Sequence, residues 1–173
     1  VAVVEKMHAE EGTLGLPHPK IPLPRHLYGD VRANSSGIDL ANEQRLASLS
    51  SALLAGTSTA WTAAPTIGDA AYVGGPSSLQ QPVRNPSDLR DVVGHVTEAT
   101  EADVDAALSA ATAAAPIWQA TPPEARAALL DRAADLMEGE MQHLMGLIIR
   151  EAGKTLSNAI AEVREAVDFL RYY

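Results

Sequence analysis

The side chains best spaced to do chemistry lie towards the C-terminal end of the chain. Glu162, Glu165 and Asp168 recur every third residue, with Arg164 and Arg171 among them and the pair Tyr172-Tyr173 behind. Their setting is a stretch in which Ile160, Val163, Val167 and Leu170 recur at helical spacing. That spacing predicts an amphipathic helix over Asn158–Tyr173 with its apolar side on a core. The plainer reading of the acids is a solvated helix face, paired with Arg164 and Arg171 within a turn, each pair contributing roughly 0.2–0.5 kcal/mol. Glu165 stands apart from its neighbours. It is two residues from both Val163 and Val167, so it lies nearly opposite the apolar stripe and marks a second usable surface of the helix.

Other chemistries lack their residues. Gly153-Lys154-Thr155 resembles the tail of a phosphate-binding loop, but Ile148 stands where that loop needs a glycine. Gly74-Gly75-Pro76 reads as a turn, and no dinucleotide fingerprint follows a strand. The histidines His8, His18, His26, His95 and His143 are scattered, with no pair four apart, so they read as surface or core residues rather than metal ligands. There is no G-x-S-x-G motif. The chain has no cysteine, which excludes disulfides, thiolate metal sites and a cysteine nucleophile within it. A formal net charge of −9 opposes non-specific nucleic-acid binding. No apolar run approaches the roughly 20 residues of a membrane helix. The start, Val1-Ala-Val-Val-Glu5, has no basic leader. The expectation is an interior piece of a longer cytosolic protein.

The apolar fraction of 46% rests largely on alanine, with one Phe and two Trp. That suits helices packed through Ala, Leu and Val better than an aromatic-rich β-sandwich. Residues 1–11 read as the end of a helix stopped by Gly12, and the four prolines of 12–25 as a strap. Asp39 is expected to cap a helix carrying Leu46, Leu49 and Leu53 and ending at Gly56. Tyr72-Val73 is a candidate short strand. Gln81–Asn85 and Asp91–Thr97 predict a hairpin turned at Asn85-Pro86-Ser87-Asp88. Thr100, with Asp103 three residues on, opens a helix with Val104, Ala107, Leu108 and Ala111 on one face, ended by Pro116. Trp118 is expected to plug a core. Thr121-Pro122-Pro123-Glu124 is read as a capping box for a helix burying Leu129, Ala133 and Leu136. Residues 140–152 form a further helix with Leu144, Leu147 and Ile148, stopped by Gly153.

Several of these pieces, in this order, resemble the start of an aldehyde dehydrogenase domain. They are Val83-Arg-Asn-Pro86-Ser-Asp88, Asp91-Val-Val-Gly-His-Val96, Ala99-Thr-Glu-Ala-Asp-Val-Asp-Ala-Ala107, Trp118, Arg126-Ala-Ala-Leu-Leu130, Ala134-Asp-Leu136, Glu151-Ala-Gly-Lys154, and Ala161 through Phe169 to Arg171-Tyr-Tyr173. Upstream, Gly15-Leu-Pro-His-Pro through Tyr28-Gly29, Asn34-Ser-Ser-Gly37 through Glu43, and Leu46 through Leu54 are similar to the connector of the proline utilization A family. In that family a flavin-dependent proline dehydrogenase barrel precedes an aldehyde dehydrogenase module.

The resemblance implies an α/β parent of which this segment is mostly α-helical with one β-hairpin. Residues 1–59 would be the connector after the barrel, and 60–173 the first, incomplete part of the NAD-binding domain. The parent would oxidise proline with FAD, and then glutamate semialdehyde to glutamate with NAD through a cysteine nucleophile. Neither cofactor site would be complete here, and no residue of the segment would be catalytic. The implied partners are the two small substrates, the rest of the same polypeptide and further copies of it. Nucleic acid is not among them, although some members carry a DNA-binding segment elsewhere. The implied location is cytoplasmic, with peripheral membrane association through the proline dehydrogenase activity. One site residue carries over. The residue six before the Arg of Arg-Tyr-Tyr borders the aldehyde channel in this family, and here that is Glu165, implied to face a substrate bearing an ammonium group. Two alternatives stay open: the start of a monofunctional aldehyde dehydrogenase with an N-terminal extension, and a standalone helical interaction module.

Overall fold

The structure is a computed structural model that describes residues 5–6, 20–68, 70–71 and 80–173. Apart from Glu5 and Lys6, which are helical, the expected helix over 1–11 lies outside the described residues. So do most of the proline strap, Tyr72-Val73 and Gly74-Gly75-Pro76.

Two compact units are present, Val1–Ser36 and Gly37–Tyr173. In the first, residues 20–36 are irregular around a 3-10 turn, Pro24–His26. Proline fixes φ there, and Leu23 before it is extended, as a residue preceding proline tends to be.

The second unit opens with α1, Glu43–Gly56. Its cap is Asn42, whose side chain accepts the Arg45 N–H at 3.0 Å. The expected cap, Asp39, instead accepts the Ala41 N–H at 2.9 Å and so turns the chain one step earlier. Of the predicted stripe, Leu49 is fully buried, Leu53 packs beside it, and Leu46 is exposed. Three short strands not predicted from the sequence follow: β1 Trp61–Ala63, β2 Thr66–Ile67 and β3 Ala70–Ala71. The hairpin forms as predicted from β4, Gln80–Asn85, and β5, Asp88–Thr97. β5 is central, with β4 antiparallel on one side and β1 parallel on the other, while β2 and β3 pair separately.

Four helices follow: α2 Glu101–Ala120, α3 Pro123–Gly139, α4 Met141–Ala152 and α5 Leu156–Tyr172. Thr100 and Asp103 make the predicted reciprocal cap of α2, and Thr100 lowers the Asp103 pKa, first through its backbone N–H. Pro116 does not end α2. Its missing N–H removes one ladder bond near the end of a solvent-exposed helix, which runs on to Ala120. The Thr121 capping box is also absent. Thr121 Oγ1 donates backwards to the Ile117 carbonyl at 2.9 Å, and Pro122 occupies the cap position.

The core comprises Leu49, Ala134, Met141, Met145, Ala159, Ile160, Val163 and Val167, so it joins α1, α3, α4 and α5. α3 buries Ala134 rather than Leu129 and Leu136, which are 58% and 53% exposed. The predicted stripe was rotated because α3 meets α5 through its small residue, which permits a close helix approach. Trp118 is not a core plug either: it is half exposed, with the Arg126 guanidinium 5.8 Å from the ring centre.

Candidate functional site

The site builds on α5. Gly153 closes α4 in the left-handed conformation, with φ of 64°. Thr155 then caps α5 by accepting the Asn158 N–H, so the three residues resembling a phosphate-loop tail serve as a joint between two helices. Lys154 pairs with Glu162 across that joint. The predicted stripe is correct: Ile160, Val163 and Val167 are buried, and Leu170 packs beside them.

The far end of α5 is fixed by Arg171. Its side chain is only 7% exposed and donates to Asp135 at 2.9 Å and Glu138 at 2.7 Å, both on α3. The sequence suggested pairing within one helix; the structure shows a bridge between two. Burial works to lower the Arg171 pKa, but the two carboxylates outweigh it and the net shift is upward. A second bridge anchors the hairpin. Arg150 on α4 donates to Asp91 at 2.6 and 3.2 Å, and the Asn85 side chain donates to the same carboxylate at 3.0 Å. Arg150, and after it Asn85, hold the Asp91 carboxyl below its ordinary value.

With both ends pinned, α5 presents a defined outer face. Glu165 is exposed there and makes no hydrogen bond or ion pair among the described residues. Phe169, one turn on, is 51% exposed, and Tyr172 and Tyr173 follow. Glu165 thus lies away from the buried Val163 and Val167. Of the aromatic residues beside it, the Tyr172-Tyr173 pair stands out in the sequence, whereas Phe169 is signalled only by the i, i+4, i+7 spacing of Glu165, Phe169 and Tyr172.

Hollows open among the described residues of this unit. One, about 660 Å³, lies between α1 and α4 and is lined mainly by apolar residues such as Leu49, Leu53, Leu147 and Leu156. Another, about 310 Å³, is bordered by Trp118, Pro123, Arg126, Leu130 and Tyr173. Among the described residues no group of three or more His, Asp or Glu is arranged to hold a metal ion. No described helix is long and apolar enough to cross a membrane.

The profile of the aldehyde dehydrogenase family matches residues 72–173, more than half of the chain. The chain belongs to the aldehyde dehydrogenase family. Bifunctional protein PutA of Klebsiella aerogenes is 59% identical over 173 residues, which is 100% of this chain and 13% of that protein. Among solved structures, proline utilization A from Bdellovibrio bacteriovorus superposes with a TM-score of 0.77 at 28% identity, over 92% of this chain and 16% of that one. The 1-pyrroline-5-carboxylate dehydrogenase of Thermus thermophilus gives 0.73 at 31% identity, over 81% of this chain and 27% of that one. The likeness to these structures places the helices and hairpin in an aldehyde dehydrogenase fold. The chain thus spans a small part of its relatives' length.

Proposed function

We propose that this chain is one section of a bifunctional proline-catabolic oxidoreductase. The carrying observation is the 59% identity that runs end to end, over all 173 residues of this chain. A family match confined to residues 72–173 would have fitted a monofunctional dehydrogenase equally well.

On this reading the parent oxidises proline with FAD, then glutamate semialdehyde to glutamate with NAD. Residues 1–59 are the connector, and residues 60–173 begin the NAD-binding domain. The parent is cytoplasmic, meets the membrane peripherally, and assembles into homo-oligomers. This chain has no cysteine, so the thiolate nucleophile of the second reaction belongs to another part of the parent. Neither cofactor is held by these residues alone. What the chain supplies is scaffold and one wall of the aldehyde channel.

That wall is the outer face of α5, and Glu165 is its binding group. An exposed carboxylate without a partner suits an aldehyde that carries an ammonium group. The Arg171 and Lys154 bridges at the ends of the helix hold it in register with the core. In the full-length parent, Glu165→Ala is expected to raise the KM for glutamate semialdehyde about tenfold, roughly 1.4 kcal/mol, and to leave the proline dehydrogenase activity unchanged. An unaltered KM removes Glu165 from the channel.

A further inference from the structure

The outer face of α5 carries more than a carboxylate. Phe169 follows Glu165 by four residues and Tyr172 by seven, the spacing that sets side chains on one face of a helix. The Phe169 ring stacks on Tyr173, with centroids 6.2 Å apart and planes at 25°. Tyr172 meets Tyr173 edge-on, with centroids 4.9 Å apart and planes at 88°. Three rings therefore brace one another one turn beyond Glu165, and Phe169 keeps half of its surface open.

The pairing of these groups limits what fits against them. A purely apolar occupant would strip water from the Glu165 carboxylate and leave it without a counter-charge. An anionic group would be repelled by it. An ammonium group on a short carbon skeleton satisfies both features. The carboxylate takes its charge, and the negative face of a neighbouring ring attracts the same cation while covering its carbons.

We propose that Phe169, braced by Tyr173, is a specificity residue that reads the ammonium group of the aldehyde jointly with Glu165. The proposal rests on the placement of Glu165 at the channel given above. Phe169 acts on binding and not on the reacting carbonyl, so its effect falls on KM rather than kcat.

The test uses the full-length parent with Phe169→Leu, Phe169→Met and Glu165→Gln. Two aldehydes are compared: glutamate semialdehyde, and glutarate semialdehyde, which keeps the carbon chain and carboxylate but lacks the ammonium group. Phe169→Leu is expected to raise the KM for glutamate semialdehyde roughly fivefold, about 1 kcal/mol, and the KM for glutarate semialdehyde clearly less, with kcat unchanged. Phe169→Met fills similar space without a ring and gives the same discrimination, so it carries the test should the leucine variant not fold. An equal rise in KM for both aldehydes, or no rise for either, overturns the proposal. Glu165→Gln tells the two failures apart. If it alters neither aldehyde, the placement of α5 at the channel is wrong. If it discriminates while both Phe169 variants do not, only the role of Phe169 falls.

Discussion

At the residue scale, the tightest constraint falls on a hydrogen atom. Gly94 of β5 pairs with Trp61 of β1, and a Cβ at Gly94 would lie 2.2 Å from the Trp61 carbonyl oxygen. That neighbour is backbone and cannot rotate away. Gly94→Ala is therefore expected to push β1 off the sheet, lower the thermal midpoint of the parent by the equivalent of about 1–3 kcal/mol, and shift Trp61 emission to the red. Emission unchanged from wild type would contradict this. Asp91 makes a different kind of prediction. Its carboxyl is held below its ordinary value by Arg150 and Asn85. Stability from that depression is fully present above the unfolded pKa of about 4, and is lost as pH falls through the lower folded value. Asp91→Asn should be less stable than wild type at neutral pH, and the gap should close in melts taken below about pH 4. A gap that stays constant with pH would assign the loss to packing instead.

At the element scale, the joint between α4 and α5 sets the site. Gly153 holds φ at 64°, and a Cβ there would also meet Pro86 Cγ at 3.1 Å. Gly153→Ala is expected to cost about 1–2 kcal/mol in left-handed strain. Because α5 starts three residues later, the proposed function expects the KM for glutamate semialdehyde to rise together with the loss in thermal stability. A stability loss without any KM change would separate the joint from the channel. This joint was legible in the sequence, as were the Thr100–Asp103 cap, the hairpin turn and the apolar stripe of α5. Each is decided by residues within a few positions of one another. The failures lie where distant chain decides. Trp118, Leu129 and Leu136 look like core by type, yet the face of α3 that meets α5 runs through Ala134. β1 is three residues long and becomes a strand only through β5, so no local pattern announced it. The role proposed for Glu165 rests on family resemblance, not on periodicity, which by itself describes a solvated carboxylate. In the sequence Phe169 stands out only within a matching motif, because its proposed role depends on the carboxylate one turn before it.

At the scale of the whole molecule, the apolar inventory does not close. Val104, Leu108, Ile117 and Trp118 on α2, with Leu129 and Leu136 on α3, are each at least half exposed, an extent unusual for a freestanding domain. If the rest of the parent covers these helices, residues 1–173 expressed alone should bind a hydrophobic dye such as ANS and self-associate, whereas the full-length parent should do neither. A segment that stays monomeric and unfolds in a single cooperative transition would favour an independent helical module.

The parallel pairing of β1 with β5 carries one last consequence, for the order in which the fold is assembled. The β4–β5 ribbon closes over a tight turn, an event of about 1–10 μs. β1 joins only by pairing Trp61 with Gly94, far along the chain, and against greater loop-closure entropy. On a ribosome adding about 5–20 residues per second, Trp61 is made seconds before the strand that will shelter it. Through that interval it is a nascent edge without a partner, and the last arrival in the sheet is the strand that was synthesised first.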